Sequence, residues 1–502
     1  MKSKKKRGIY FTLRRVKNFM KELLKSKRAA LGIGIIVIFS IIAAAAPIVT
    51  PNDPVYGYYV AADYARPQWF RYLPGGESLV ENLQIVEDPE FNSRSSIYQW
   101  NFTSEKIPED VGKISFGYNP VIGNGSIMIR YVRFSPFTPL GSIQLKLYKT
   151  FEYRYGPPPR FSCSISILTQ GADRVPLNLQ LIIRPAQNET PGYPPFWSVS
   201  ISNDTAKWIK PSPLLDSYET EFKKRFGSRL SDPASIVFSE PGTYVYEITI
   251  QLYDTQEEPA DLRVYLDDIH LKIYGNAYGL LGTDHMGRDI FAQLVYGARI
   301  SLVVGLLAAI LSVVIGLIIG LVSGYLGGVI DEILMRFTDA LLVIPTLPLY
   351  IVLIAVIGPS LWNLILIIGV LGWMGFARQV RSVTLSLKER PFVEASRAAG
   401  ASTSHIIFKH ITPNVMTLVY VSLALSVPSA IISEAALSWL GLFDPSVMSW
   451  GKMLYYAQWN QGTRLWWWVL PPGLCIAALS LSFILLGYAL DEILNPRLRL
   501  RK

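Results

Sequence analysis

Two cysteines in 502 residues, Cys163 and Cys475, exclude a disulfide scaffold. One lies in a polar region and the other in a long apolar run. They are read as belonging to different compartments, so no pairing is expected. Histidine is nearly as scarce, with four in the chain, and no His/Cys/Asp/Glu spacing resembles a metal-ligand cluster. No cofactor is expected. No Gly-x-x-x-x-Gly-Lys-Ser/Thr run occurs, so the chain lacks the phosphate-cradling loop of ATP-hydrolysing proteins and is not expected to be an enzyme. Charge is absent from 29–50. The net charge of +10 is local, because residues 1–28 hold twelve Lys/Arg against one Glu while 51–278 is net acidic. A basic excess confined to one end, beside an apolar run, is a membrane orientation signal and excludes a nucleic-acid footprint.

What remains is apolar. Half of the residues are hydrophobic, and they are too unevenly spread for a soluble protein of this size. Residues 1–28 form a basic cytoplasmic arm. Phe11, Leu13, Val16, Phe19, Leu23 and Leu24 give it a loose apolar stripe that can lie on anionic lipid. Residues 29–50 are long enough to cross the roughly 30 Å hydrocarbon core. Further spans are expected at 300–325, 341–357, 361–376, 418–437 and 469–490. Prolines 345 and 348 bend the third. A basic cytoplasmic tail, 491–502, closes the chain. The fold class is a multi-pass α-helical membrane protein of six transmembrane helices. It belongs in the cell membrane with both termini cytoplasmic.

Residues 51–278 are a different material. Short runs alternate polar and apolar residues, at 126–132, 141–148, 162–168, 177–183, 197–201, 243–252 and 262–274, separated by Pro and Gly clusters. That is the strand signature. A helix is expected only near 214–226. We read a large inserted extracytoplasmic β-sandwich domain. Its last strand pattern, 264–271, weakly resembles carbohydrate-binding-type sandwiches. The domain has one histidine, His270, and no catalytic constellation. Asp267 and Asp268 are adjacent on a strand and are expected on opposite faces.

Residues 279–490 carry the motifs. Glu394 and Ala395 suit a helix, Gly400 can end it in a left-handed conformation, and Ser402 or Thr403 can cap a second helix that Pro413 closes. This elbow, 394–413, is expected to expose Ile406, Ile407, Phe408 and Ile411 to a docking partner. It sits among Arg378, Arg381, Lys388, Arg390, Arg397 and Lys409, hence in the cytoplasm. Upstream, Thr283 or Asp284 is expected to cap a helix, in the run Gly282-Thr-Asp-His-Met-Gly287-Arg288-Asp289. Gly316, Gly320, Gly324 and Gly328 recur every four residues and line one helix face for close packing. Glu434 is a carboxylate within an apolar run, read either as pathway-lining, as pairing with a partner, or as reaching toward the outer interface. Trp466, Trp467 and Trp468 are read as an interfacial aromatic anchor.

Glu394-Ala-Ser, Gly400 and Pro413 resemble the coupling motif of binding-protein-dependent ABC importer permeases. The run from Leu281 to Leu302 resembles the corresponding segment of the C-type permease of dipeptide and oligopeptide importers. Ser449-Trp-Gly also matches, while Ser396 and Phe443 depart from the family's Ala and Gly. The resemblance covers 279–502 closely, 1–50 loosely, and 51–278 not at all. It implies a second homologous permease, two cytoplasmic ABC ATPase subunits and an extracytoplasmic solute-binding protein as partners, with Glu394 and Arg397 fixing the docking register. It implies peptide cargo. Oligosaccharides or nickel are the alternative, and a membrane-anchored surface binding protein is a remote one.

Overall fold

A computed structural model describes residue 19 and residues 21–134, 140–212 and 214–494. Residues 1–18, with most of the basic arm and its stripe residues Phe11, Leu13 and Val16, lie outside the described residues, as does the tail from 495. The chain divides into two compact units, Tyr59–Gly287 and the remainder.

The Tyr59–Gly287 unit is built on two antiparallel sheets. Its strands are β1 (Leu83–Gln84), β2 (Asn101–Ser104), β3 (Gly112–Asn119), β4 (Ser126–Arg133), β5 (Gly141–Tyr153), β6 (Arg160–Gln170), β7 (Leu177–Pro185), β8 (Trp197–Ile201), β9 (Leu215–Asp216), β10 (Gly242–Asp254) and β11 (Ala260–Tyr274). One sheet runs β3-β4-β11-β6-β9 with β1 on β11; the other runs β2-β5-β10-β7-β8. All seven expected strands are present. The alternation works because every second side chain faces one side of a strand. Ile127, Leu145, Ile165, Leu179, Ile248 and Val264, drawn from both sheets, join one buried cluster. β2, β3 and β9 escaped the periodicity reading. They are short or rich in Gly, Ser and Asn, so packing rather than pattern places them. The expected 214–226 helix shrinks to α2 (Thr220–Arg225), preceded by β9. A further short helix, α3 (Pro233–Val237), is capped by Asp232, whose carboxylate accepts from the amides of Ala234 and Ser235.

The helical unit begins with α1 (Lys27–Val49) and continues with α4 (Ile290–Leu326), α5 (Gly328–Val343), α6 (Thr346–Ile357), α7 (Leu361–Val370), α8 (Met374–Lys388), α9 (Pro391–Ala398), α10 (Thr403–Ile406), α11 (Thr412–Trp439), α12 (Trp450–Trp459) and α13 (Trp466–Leu494). Five stretches among the described residues are long and apolar enough to cross a membrane: Lys27–Val49, Ile290–Leu326, Leu361–Lys388, Thr403–Trp439 and Trp466–Leu494. The expected third span is instead the pair α5 and α6, bent by 91°. Pro345 stands at the break, because it supplies no amide and restricts the residue before it.

Glycines place α4. A Cβ on Gly316 would lie 2.9 Å from the Trp373 carbonyl oxygen, one on Gly320 2.6 Å from that of Ala377, and one on Gly324 2.9 Å from that of Arg381. Three of the four expected glycines thus let α8 lie against α4 at backbone distance. Gly328 does not take part. It follows the helix end, has φ +58, and faces open space.

Candidate functional site

The elbow forms from Pro391 to Ile411. Pro391 starts α9, where its missing amide costs nothing. Gly400 takes φ +79 and reverses the chain. Ser402 Oγ then accepts from the His405 amide at 3.4 Å and caps α10. Two expectations fail here. Pro413 does not close the second helix. The chain passes through a π-turn, Ile407–Ile411, straight into α11, with Pro413 in the first turn. A proline there clashes with the carbonyl four residues back and leaves it without a donor. The wider turn makes room, Thr412 Oγ1 donates to the Ile407 carbonyl at 2.9 Å, and Asn414 Nδ2 donates to that of His410 at 2.7 Å. Nor are Ile406 and Ile411 offered to a partner. They are 1% and 0% exposed, packed with Val393, Val415, Tyr325 and Val380. The exposed apolar side chains of the elbow are Phe408, at 74%, and Phe392. Ile407 is half-buried, and Glu394, Ala395 and Arg397 are exposed. The Arg397 guanidinium lies 6.0 Å from the Tyr325 ring centre.

Acid and base pair behind the elbow. Arg381 binds both oxygens of Asp331 at 2.6 and 2.7 Å, and Ser323 Oγ donates to the same carboxylate at 2.8 Å. Arg378 pairs with Asp339. The acidic residues Asp331 and Asp339 of α5 are thereby neutralised by arginines of α8.

A cavity of about 300 Å³ opens in the helical unit. Ser422, Ser426, Ser429 and Ser433 line it from one stripe of α11, together with Ser312, Tyr350 and Gln379 from α4, α6 and α8. No Asp, Glu, His, Lys or Arg lines it among the described residues. Serine spacing of four, three and four within an apolar helix was the available signal, and the sequence reading passed over it. Glu434, for which pathway lining is one of three readings, is not among the residues that line the cavity. It is 1% exposed, and its Oε1 accepts from Ser438 Oγ at 2.7 Å. Its carboxylate is thus enclosed within the helical unit.

The 282–289 run is held differently from the expectation. The helix cap is Asp289, whose Oδ1 accepts from the Phe291 amide at 2.9 Å and whose Oδ2 accepts from Asn52 at 2.9 Å. Thr283 Oγ1 instead accepts from the Ala65 amide and donates to the Ala62 carbonyl, and Asp284 holds the Met286 amide at 2.8 Å. Gly282 and Gly287 take φ +71 and +64. A Cβ on Gly282 would stand 2.1 Å from the Ala65 carbonyl oxygen. The Arg288 guanidinium sits 4.7 Å from the Tyr456 ring centre, and Lys452 sits 5.9 Å from the same ring. Burial, with Arg288 nearby, pushes the Lys452 ammonium down to about 8. Carbonyls of Pro445 and Val447 accept from it at 2.7 and 2.8 Å. The aromatic anchor is also narrower than expected: Trp467 and Trp468 are buried, and Trp466 is exposed.

Residues 298–500 match the family of binding-protein-dependent transport system inner membrane components. A probable peptide ABC transporter permease of Sinorhizobium fredii is 42% identical over 227 residues, 44% of this chain and 76% of the relative. The oligopeptide transport permease OppC of Bacillus subtilis is 42% identical over 227 residues, 43% of this chain and 72% of that protein. The di/tripeptide permease DppC of Pseudomonas aeruginosa is 37% identical over 226 residues, 45% and 74%. The chain belongs to this family. As an inner membrane component of such a transport system, it is a multi-pass membrane protein. The expected resemblance of 279–502 to these permeases is borne out. The matched region contains both the elbow and the serine-lined cavity.

Proposed function

We propose that this chain is one permease subunit of an ATP-driven importer of di- and oligopeptides. The observation that carries the reading is the uncharged, serine-lined cavity on α11 within a region shared with permeases named for peptides. Peptides differ in side chain but share a backbone of amides and carbonyls. Hydroxyls both donate and accept, so a stripe of them serves any peptide bond. A fixed charge would hold one class of peptide and repel another. The cavity would be this chain's share of a pathway completed by a second, homologous permease.

The lead-in residues Gly282, Thr283, Asp284, Gly287, Arg288 and Asp289 would join the outer domain to the first shared helix. Gly316, Gly320 and Gly324 would keep α4 and α8 moving as one piece. The elbow would dock on a cytoplasmic ABC ATPase, one of two, through Phe408 and Phe392, with Glu394 and Arg397 setting the register. Ile406 and Ile411 would transmit its displacement to the spans, because they are anchored in the helical core. The spans would number six, counting the bent α5–α6 pair as one crossing. The N-terminal arm and tail would be cytoplasmic and in contact with anionic lipid. Residues 51–278 would form an extracytoplasmic β-sandwich, reached by a solute-binding protein. The test is uptake of labelled short peptides in cells with and without the chain. Loss of uptake without it is expected. Unchanged peptide uptake, with loss of labelled oligosaccharide or nickel uptake instead, would overturn the cargo.

A further inference from the structure

The sheet-built unit holds a cleft of about 350 Å³ on which the transport reading makes no demand. Its floor is formed by β6 and β11. Cys163, Ile165 and Ile167 face the core, so Ser164 and Ser166 face away from it. On β11 the register shifts: Asp267 pairs with Ser166 and His270 with Ser164, so that Asp268 and Ile269 together oppose Ile165. Ile269 stays in the core, fully buried, and Asp268 takes φ +49. Strict alternation would have turned Asp268 inward, and the expectation that Asp267 and Asp268 lie on opposite faces fails because of this bulge. One extra residue re-aims the side chain.

Asp268 Oδ2 accepts from Ser166 Oγ at 2.8 Å and from Lys210 Nζ at 2.5 Å. Burial works against that charge, yet these bonds hold the carboxyl below its ordinary range. Ser164 Oγ donates to the Asp268 carbonyl at 2.6 Å and lies 2.7 Å from His270 Nδ1. A hydroxyl has a single proton. It goes to the carbonyl, so Nδ1–H is the donor to Ser164 and the ring's lone pair is on Nε2. This is the wrong polarity for a serine nucleophile, whose proton must pass to the imidazole. The geometry therefore gives no support to hydrolysis by Ser164. Burial pushes the His270 imidazolium down, which keeps the ring neutral at pH 7.

The cleft thus offers the carboxylates of Asp268 and Glu90 and the Nε2 lone pair, against one ammonium, Lys210, already bonded to Asp268. Pro89, Pro211 and Leu214 give apolar walls, and no Phe, Tyr or Trp lines it among the described residues. A sugar needs paired donors and acceptors and gains most from a ring to stack on. An ammonium brings three donors and no acceptor, which is what an excess of acceptors matches.

We propose that this cleft binds the free α-ammonium end of a short peptide, with Asp268, Glu90 and His270 accepting its protons and the Pro89–Pro211–Leu214 wall holding the first side chain. The choice of a peptide as the amine rests on the proposed cargo. The test is calorimetric titration of the full chain in lipid nanodiscs with the dipeptide Ala-Leu and with N-acetyl-Ala-Leu. Binding of the free form, weakened about tenfold or more by acetylation and to a similar extent by Asp268→Asn or Glu90→Gln, is expected. Asparagine tolerates the left-handed backbone, and each variant's unfolding temperature should match the parent's. Equal binding of the two dipeptides, no binding of either, or indifference to both substitutions overturns the proposal. So does a neutral oligosaccharide whose binding is the one lost in Asp268→Asn. Peptide uptake by the assembled importer separates the two readings. Uptake without cleft binding overturns the cleft alone, and cleft binding without peptide uptake overturns the cargo alone.

Discussion

Phe408→Ala separates docking from folding. Phe408 is 74% exposed, while Ile411, three positions along the same turn, is fully buried. A phenylalanine offers roughly 150–250 Å² to a partner, so an ATPase groove that covered the exposed part would remove about 150 Å² from water. At about 25 cal/mol per Å² that is about 3–4 kcal/mol, within the range of an interface anchor. Loss of ATPase affinity should then approach 10²–10³-fold, at about 1.4 kcal/mol per tenfold. The isolated permease should not notice, because exposed substitutions shift stability by about 0.5 kcal/mol or less. Ile411→Ala should reverse the pattern, costing about 2–5 kcal/mol of stability through the cavity it leaves. The assay is titration of the purified ATPase onto nanodisc-held permease variants, with thermal unfolding alongside. Unchanged ATPase affinity in Phe408→Ala, or equal destabilisation by both variants, would refute the division of the elbow into an anchored side and an offered side.

Gly400→Val should uncouple peptide uptake from ATP hydrolysis, since φ +79 costs an ordinary residue about 1–2 kcal/mol and a β-branched one more. Gly400→Asn should retain coupling, because a Cβ there meets nothing within 4 Å; equal behaviour of the two variants would show that the left-handed turn is immaterial. Ser426→Leu should fill the serine-lined cavity and stop uptake while ATPase binding persists, and normal uptake would remove that cavity from the pathway. Gly320→Leu should lower the unfolding temperature, since its Cβ would meet the Ala377 oxygen at 2.6 Å and overpacking costs about 1–3 kcal/mol. Replacing 59–287 by a short Gly/Ser linker should leave ATPase co-purification intact, because the Arg288 guanidinium is 5.7 Å from the Tyr58 ring centre and the cut ends are neighbours. A shortened chain that no longer co-purifies would show that the sheet-built unit is needed for assembly.

The long apolar runs and the strand alternation were legible because each is a local pattern answering a single environment. Gly316, Gly320 and Gly324 were legible for the same reason: four-residue spacing fixes a helix face whatever lies against it. Gly400 was legible because few other residues suit a left-handed turn. The family could also be read from residues 281–302 and 394–413, by their resemblance to its motifs. Tertiary structure alone decided the rest. It chose Ile406 and Ile411 as anchors and Phe408 as the exposed residue, since three apolar side chains on one turn look alike until neighbours cover two of them. It carried the helix through Pro413 by widening one turn, and it buried Glu434 against Ser438 while turning the neighbouring Ser433 to a cavity. It also broke the alternation at Asp268. A bulge has no period of its own, and whether one extra residue is absorbed there depends on the strand opposite, about a hundred residues away in the chain.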